Sequence, residues 1–128
     1  MHAACILAWM AAAAMTMPVM ATQDESLLTA ALTRAPGQAL EALRVTYAPG
    51  ESSRPHSHDR DAYVYVLQGS IRSQVEGQPL RVYAAGESWF EPAGAHHLVS
   101  ANASDSAPAT FLVVFVGADQ SAPRTHSR

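Results

Sequence analysis

GESSRPHSHDRDAYVYVLQG, residues 50–69, and GESWFEPAGAHH, residues 86–97, carry four of the chain's six histidines in two tight pairs. In the first pair His56 and His58 stand two residues apart. Side chains so spaced on a strand leave the same face, and both imidazoles can then aim at one point, as metal ligands must. Turn glycines frame both segments. Gly50 comes six residues before His56 and Gly69 eleven after His58, while Gly86 comes six before Pro92 and Gly94 three before His97.

Outward from these segments the apolar pattern has a period of two. ALEALRVTY, 39–47, alternates Leu43, Val45 and Tyr47 with Arg44 and Thr46, which reads as a half-buried strand. AYVYVLQG (62–69), SIRSQVEG (70–77) and QPLRVYAAG (78–86) read as further strands closed by turn residues, and ESWFEP and HHLVSAN supply two more. TFLVVFVG, 110–117, is apolar on both faces, as a strand covered from two sides would be. Short strands in close succession predict an all-β sandwich or barrel. DESLLTAALT, 24–33, has a different period. Leu27, Leu28, Ala31 and Leu32 fall on one helical side, so a short helix is predicted within 22–37, ended by Pro36 and Gly37. The β domain is then 38–118, and 119–128 reads as a disordered tail.

The composition narrows the class of protein. At 128 residues the chain suits one compact domain, and 48% hydrophobic against 15% charged residues suits a closed sheet. A net charge of -3 offers no surplus to neutralise phosphates, which excludes a nucleic-acid binder. Residues 1–21 are Ala-rich and apolar and end in small residues at Val19 and Ala21, although no Lys or Arg precedes them. They read as a signal peptide cleaved before Thr22, too short to span a membrane, with the mature protein periplasmic or secreted and free of membrane. The only cysteine, Cys5, lies in that leader, so no disulfide, thiolate ligand or cysteine nucleophile is expected in the mature chain.

The offsets among Gly50, His56, His58, Gly69, Gly86, Pro92, Gly94 and His97 resemble the two-part signature of the cupin superfamily, over roughly residues 40–117. The resemblance is to small single-domain exported bacterial cupins of the type-2 kind. It implies a double-stranded β-helix, the jelly-roll cupin barrel, behind the short N-terminal helix. It also implies a divalent transition metal held by His56, His58 and His97. Where the family usually places a glutamate, seven residues before Gly69, this chain has Ala62. Three neutral imidazoles make an adequate Zn²⁺ site with one open position, whereas Fe²⁺ or Mn²⁺ benefits from an anionic oxygen. Glu91 is the candidate replacement, as a metal ligand and catalytic acid or as an acceptor orienting a histidine N–H, against the alternative of a surface acid. The run YVLQGSIRSQV with GESWFEPAGAHHLVSANAS is similar to exported cupins that lack the first glutamate and keep the acid before the proline, which favours Glu91.

The neighbouring residues have plainer readings. Asp61 is a loop acid on the opposite face from position 62, Glu87 a turn residue, and His96 an outward or supporting histidine. By analogy Ala62, Val64 and Val66 point inward and Tyr63 and Tyr65 outward. Trp89, Phe90 and Phe115 are pocket walls or core, and Arg44, Arg72 and Arg81 either face outward or bind a substrate carboxylate in the lumen. The implied function is a metal-binding cupin (Fe, Mn, Ni or Zn), a dioxygenase- or isomerase-like enzyme acting on a small organic molecule. The alternative is a non-catalytic periplasmic protein that binds a small ligand or a metal. A homodimer joined along an open edge at Leu40–Val45 is also expected.

Overall fold

The computed structural model describes residues 22–120, and the predicted leader and most of the predicted tail lie outside them. Ten strands run in order: β1 (Gln23–Ala31), β2 (Gln38–Tyr47), β3 (Ser52–Ser53), β4 (His56–Ser57), β5 (Asp61–Gln68), β6 (Ser70–Val75), β7 (Arg81–Ala84), β8 (Ser88–Glu91), β9 (His96–Asn102) and β10 (Ala109–Ala118). All pair antiparallel. One sheet has the order β1-β2-β10-β5-β8; the other has β3-β9-β6-β7, with β4 also on β9. From β2 onward the chain passes back and forth between the two sheets, with β3–β4 and β6–β7 staying in one, as in a double-stranded β-helix. Among the described residues no helix is long and apolar enough to cross a membrane.

The alternation read from the sequence fixes which faces meet. On β5, Ala62, Val64 and Val66 are buried and Tyr63 and Leu67 exposed; on β10, Phe111, Val113 and Phe115 are buried. With Val45, Tyr47, Ile71 and Trp89 they form the core between the sheets. The Gly69 turn is held to this sheet by a close approach. Its φ is +73°, and a Cβ there would stand 2.8 Å from the Pro108 carbonyl oxygen, so both backbone conformation and space exclude a side chain.

The N-terminal helix predicted over 22–37 is instead β1, paired to β2 from Gln23↔Thr46 to Ala31↔Ala39 with a register shift between Ser26 and Leu28. The physical reason is the partner available. A helix of about ten residues is marginal unless its apolar side is buried, and Leu27 and Leu28 stay 46% and 53% exposed. The edge of β2 by contrast offers a full ladder of backbone hydrogen bonds. The bulge accommodates two consecutive leucines that fit no strict alternation. It follows that β2 is flanked by β1 and β10, so Leu40–Val45 is no open edge; β1 is the edge strand.

Two further expectations change. The outward face of β10 has no covering layer among the described residues; Leu112 and Val114 are half-buried beside their cross-strand partners Tyr65 and Tyr63. The start of the predicted tail is also tied down, because Asp119 N–H donates to Gly37 (3.0 Å) and the Gln120 amide donates to Asp59 (2.8 Å).

Candidate metal centre

Pairing between β4 and β9 brings the two histidine segments together, with His56 directly opposite His97 and Ser57 opposite His96. The His56 and His58 rings lie with centroids 4.8 Å apart and those of His56 and His97 5.2 Å apart. His96 leaves the other face of β9 and is exposed. The loop carrying β3 and β4 is held to the second sheet by Asn102, a buried residue whose amide donates to the carbonyls of Ala48 (3.0 Å) and Ala107 (2.8 Å) and whose Oδ1 accepts from Ser104 N–H (2.9 Å). That one side chain organises the ASDSAPA loop, which has no periodicity of its own.

Glu91 enters from the facing sheet. It is only 6% exposed, and its Oε1 accepts a hydrogen bond from the Trp89 indole N–H (2.8 Å) and stands 3.1 Å from His97 Nδ1. Across β5 and β8 it is the direct partner of Ala62. Directly opposite residues have Cβ atoms about 5 Å apart, so the methyl of Ala62 leaves room for a carboxyl group from the adjacent strand.

Supporting contacts fix the rings. His56 Nδ1 lies 2.7 Å from the Arg54 carbonyl, to which it donates, leaving Nε2 as the atom with a free lone pair. His97 Nε2 is 2.9 Å from the hydroxyl of Ser73, a buried residue of β6 outside the cavity lining. Without a metal, Ser73 can donate to Nε2 while Nδ1–H donates to Glu91; ligation through Nδ1 would take the other tautomer, with Nε2–H donating to the Ser73 hydroxyl. Phe115 contacts both the His58 ring, 4.7 Å centroid to centroid, and the Arg60 guanidinium, 4.5 Å from its own ring centroid. Arg60 in turn pairs with Glu41 at 2.8 Å.

Both inner imidazoles are pushed toward neutrality. Burial, with His56 close by, lowers His97 to about 4 against a weaker upward pull from the Val99 backbone. Burial and His56 likewise lower His58, outweighing the raising effect of Glu91. The contact of His97 with Glu91 is therefore a hydrogen bond from a neutral ring. A metal site needs neutral imidazoles, and burial favours that form at His58 and His97.

Among the described residues no three His, Cys, Asp or Glu side chains already converge as a closed donor set. One donor pair, on His97 and Glu91, has a separation that two ligands of one ion could share. Two donors each about 2.1 Å from a common ion and at right angles stand about 3 Å apart, and His97 Nδ1 and Glu91 Oε1 are 3.1 Å apart. All four residues line a single cavity of about 220 Å³. Its walls are Leu43, Val45, Val64, Phe111 and Val113, with Trp89 and Phe115 beside the histidines.

The cupin domain family matches residues 43–115, more than half of the chain. The chain belongs to the cupin family. Among solved structures, this cupin is similar to KdgF from Halomonas sp. (21% identity, TM-score 0.62, covering 83% of this chain and 87% of that one). It is similar also to an RmlC-like cupin with a double-stranded β-helix fold from Methanocaldococcus jannaschii (18%, TM-score 0.61, 76% and 81%). A third is the DMSP lyase DddQ from Ruegeria pomeroyi (26%, TM-score 0.56), where 66% of this chain covers 41% of that one. No curated protein matches the chain.

The remaining candidates fall where plainer chemistry puts them. Asp61 is exposed and accepts from Ala93 N–H (2.9 Å), bracing the Pro92–Gly94 turn, and Glu87 is an exposed turn residue. Phe90 is neither wall nor core; it is 55% exposed, paired with Tyr63 on the outer face. Arg44, Arg72 and Arg81 are exposed, Arg44 in an ion pair with Glu25. Sequence reasoning missed Ser73, Tyr47, Ser53, Ser100 and Asn102 as site residues. The inward parity of Tyr47 on β2 is the one signal that could have found any of them.

Proposed function

We propose that this cupin binds a divalent transition metal through His56, His58, His97 and Glu91 and acts as an enzyme on a small organic molecule entering the adjoining cavity. The observation that supports the reading is the meeting of the His56, His58 and His97 rings in one cavity with Glu91, a buried acid from the opposite sheet whose Oε1 is 3.1 Å from His97 Nδ1. Such a metal supplies Lewis-acid polarisation of a substrate oxygen or, as iron, oxygen chemistry. The chain's own residues do the rest. Trp89 and Ser73 would fix the Glu91 and His97 donors, the apolar walls would exclude water, and the Glu91 carboxylate would hold or pass a proton. The mixed nitrogen and oxygen donor set suits Fe, Mn, Ni or Zn, and isomerase- or dioxygenase-like chemistry is the expected class. An exported protein, as the leader implies, would load its metal outside the cytoplasm.

The test is metal content by elemental analysis, followed by consumption of oxygen or of candidate substrates by metal-loaded protein, with His58→Ala as control. About one equivalent of metal with turnover lost in His58→Ala supports the reading. Less than about a tenth of an equivalent, and no uptake on titration when affinities are expected well below micromolar, would overturn it. Metal uptake without turnover favours the binding-protein alternative, which the missing glutamate at Ala62 keeps in view.

A further inference from the structure

We infer that the cavity takes a one-ring molecule carrying an uncharged hydroxyl or carbonyl group at the end away from the histidines, and that the hydroxyls of Tyr47, Ser53 and Ser100 read that group. The inference rests on the cavity being the ligand site, though not on a metal being present.

The first argument is a census of charge. Among the described residues lining the cavity, Asp24 and Glu91 are the only acids, and no arginine or lysine is there. Arg44 is paired with Glu25, Arg60 is paired with Glu41 and is not among the lining residues, and Arg34, Arg54, Arg72 and Arg81 are exposed. A carboxylate or phosphate held at the far end would lose its water, gain no cation and share the space with acids.

The second argument is a cluster of hydroxyls at that end. Tyr47 Oη bonds to Ser53 Oγ and, at 3.0 Å, to Ser100 Oγ. All three line the cavity, and Tyr47 and Ser100 are buried. Three hydroxyls bring three protons; two contacts use two of them, so one O–H and several lone pairs are left to face a ligand. Such a set donates to a carbonyl or exchanges hydrogen bonds with a hydroxyl. Ser100 lies three residues beyond His97 on β9, about 10 Å at strand rise, and the walls between are apolar. A volume of about 220 Å³ is below the range of roughly 300–1,000 Å³ for drug-sized ligands, which limits the occupant to about one ring.

Three para-substituted probes of one shape test this: hydroquinone in anaerobic buffer, p-xylene and terephthalate. Each is titrated into the full chain and followed by amide chemical shifts, once with chelator and once with an equivalent of Zn²⁺. In the chelated protein hydroquinone is expected to shift the amides of Tyr47 and Ser100 at millimolar concentration and to bind at least about tenfold more tightly than terephthalate. Ser100→Ala should weaken hydroquinone by roughly tenfold and leave p-xylene unchanged. Equal or tighter binding of terephthalate, no shift at those amides with hydroquinone, or an equal loss for p-xylene in Ser100→Ala would overturn the inference. Failure of the metal reading would show separately, as absence of zinc uptake while this probe pattern persists.

Discussion

Replacing Glu91 separates what it does for the fold from what it does for a metal. Both of its buried contacts, from Trp89 Nε1–H and His97 Nδ1–H, converge on the same oxygen, Oε1. Glu91→Gln keeps an oxygen there and both hydrogen bonds, so the unliganded protein should lose only about 1 kcal/mol, the difference between charge-assisted and neutral bonds. Glu91→Ala leaves two buried donors without a partner, at about 1–3 kcal/mol each, less what cavity water recovers, or about 2–3 kcal/mol in all. Metal affinity should follow another order. Gln lacks the anionic oxygen and should weaken binding of Zn²⁺ or Mn²⁺ by at least roughly tenfold to a hundredfold, since even supporting residues are worth that much. Because Ala62 is its direct cross-strand partner, Ala62→Glu placed in the Glu91→Gln background should restore most of the affinity. Urea unfolding gives the first pair of numbers and calorimetric metal titration the second. Wild-type metal affinity in Glu91→Gln would refute the ligand role, and equal stability of the Gln and Ala variants would refute the hydrogen-bond account.

Other perturbations reach the same site from different sides. Ser73→Ala removes the hydroxyl 2.9 Å from His97 Nε2 and should cost roughly tenfold to a hundredfold in metal affinity; calorimetry showing no change would disprove the orienting role. Lowering the pH should destabilise the metal-free protein. His97 takes its proton at about 4 when folded and near 6.5 when unfolded, so the unfolded state binds more protons between those values. The contribution, about 2 kcal/mol after solvent screening through the cavity mouth, is therefore fully present above pH 6.5 and lost as the pH falls to 4; His97→Gln should flatten that part of the urea-unfolding profile. Gly117→Ala puts a Cβ 2.5 Å from Arg60 Cγ and 3.2 Å from its Cα. It should cost about 1–3 kcal/mol and loosen His58 through Phe115, which the His58 ring proton linewidths would register. The edge strand β1, with Leu27 and Leu28 exposed, is the expected seam of a homodimer; light scattering at micromolar concentration should give twice the chain mass, falling to the monomer mass in Leu28→Lys.

The fold was legible because the strands between 38 and 118 alternate strictly enough to give their faces away. Ala62, Val64 and Val66 read inward from the sequence and are buried, and a slip of one residue would turn all three outward. The segment 23–31 was not legible for the opposite reason. Its leucines satisfy a helical spacing, and only the open edge of β2, a tertiary fact, selects the strand. In the site, the histidines stood out because two of them share a strand face and a third sits at a fixed offset from a turn. Ser73, Ser53 and Ser100 did not, since a serine on a strand carries no signal until the pairing of β6 and β3 with β9 places it behind or beside a ring.

On the function proposed above, the absence of a glutamate at position 62 is a relocation and not a loss. In an antiparallel ladder two directly opposed residues on one face share a single volume, so a carboxyl group can be supplied from either strand if the other supplies a small side chain. Here β5 supplies the methyl of Ala62 and β8 the acid of Glu91. The two positions are 29 residues apart in sequence and are neighbours only through the register of β5 with β8. The move also changes the acid's surroundings. On β8 it lies two residues from Trp89, whose indole N–H holds its inner oxygen, and beside Pro92 in a turn braced by Asp61. An acid so held is more rigid than one on a strand with no adjacent donor. A site built this way should therefore tolerate exchange of residues 62 and 91 as a pair far better than either change alone, which is the coupling that the double variant measures.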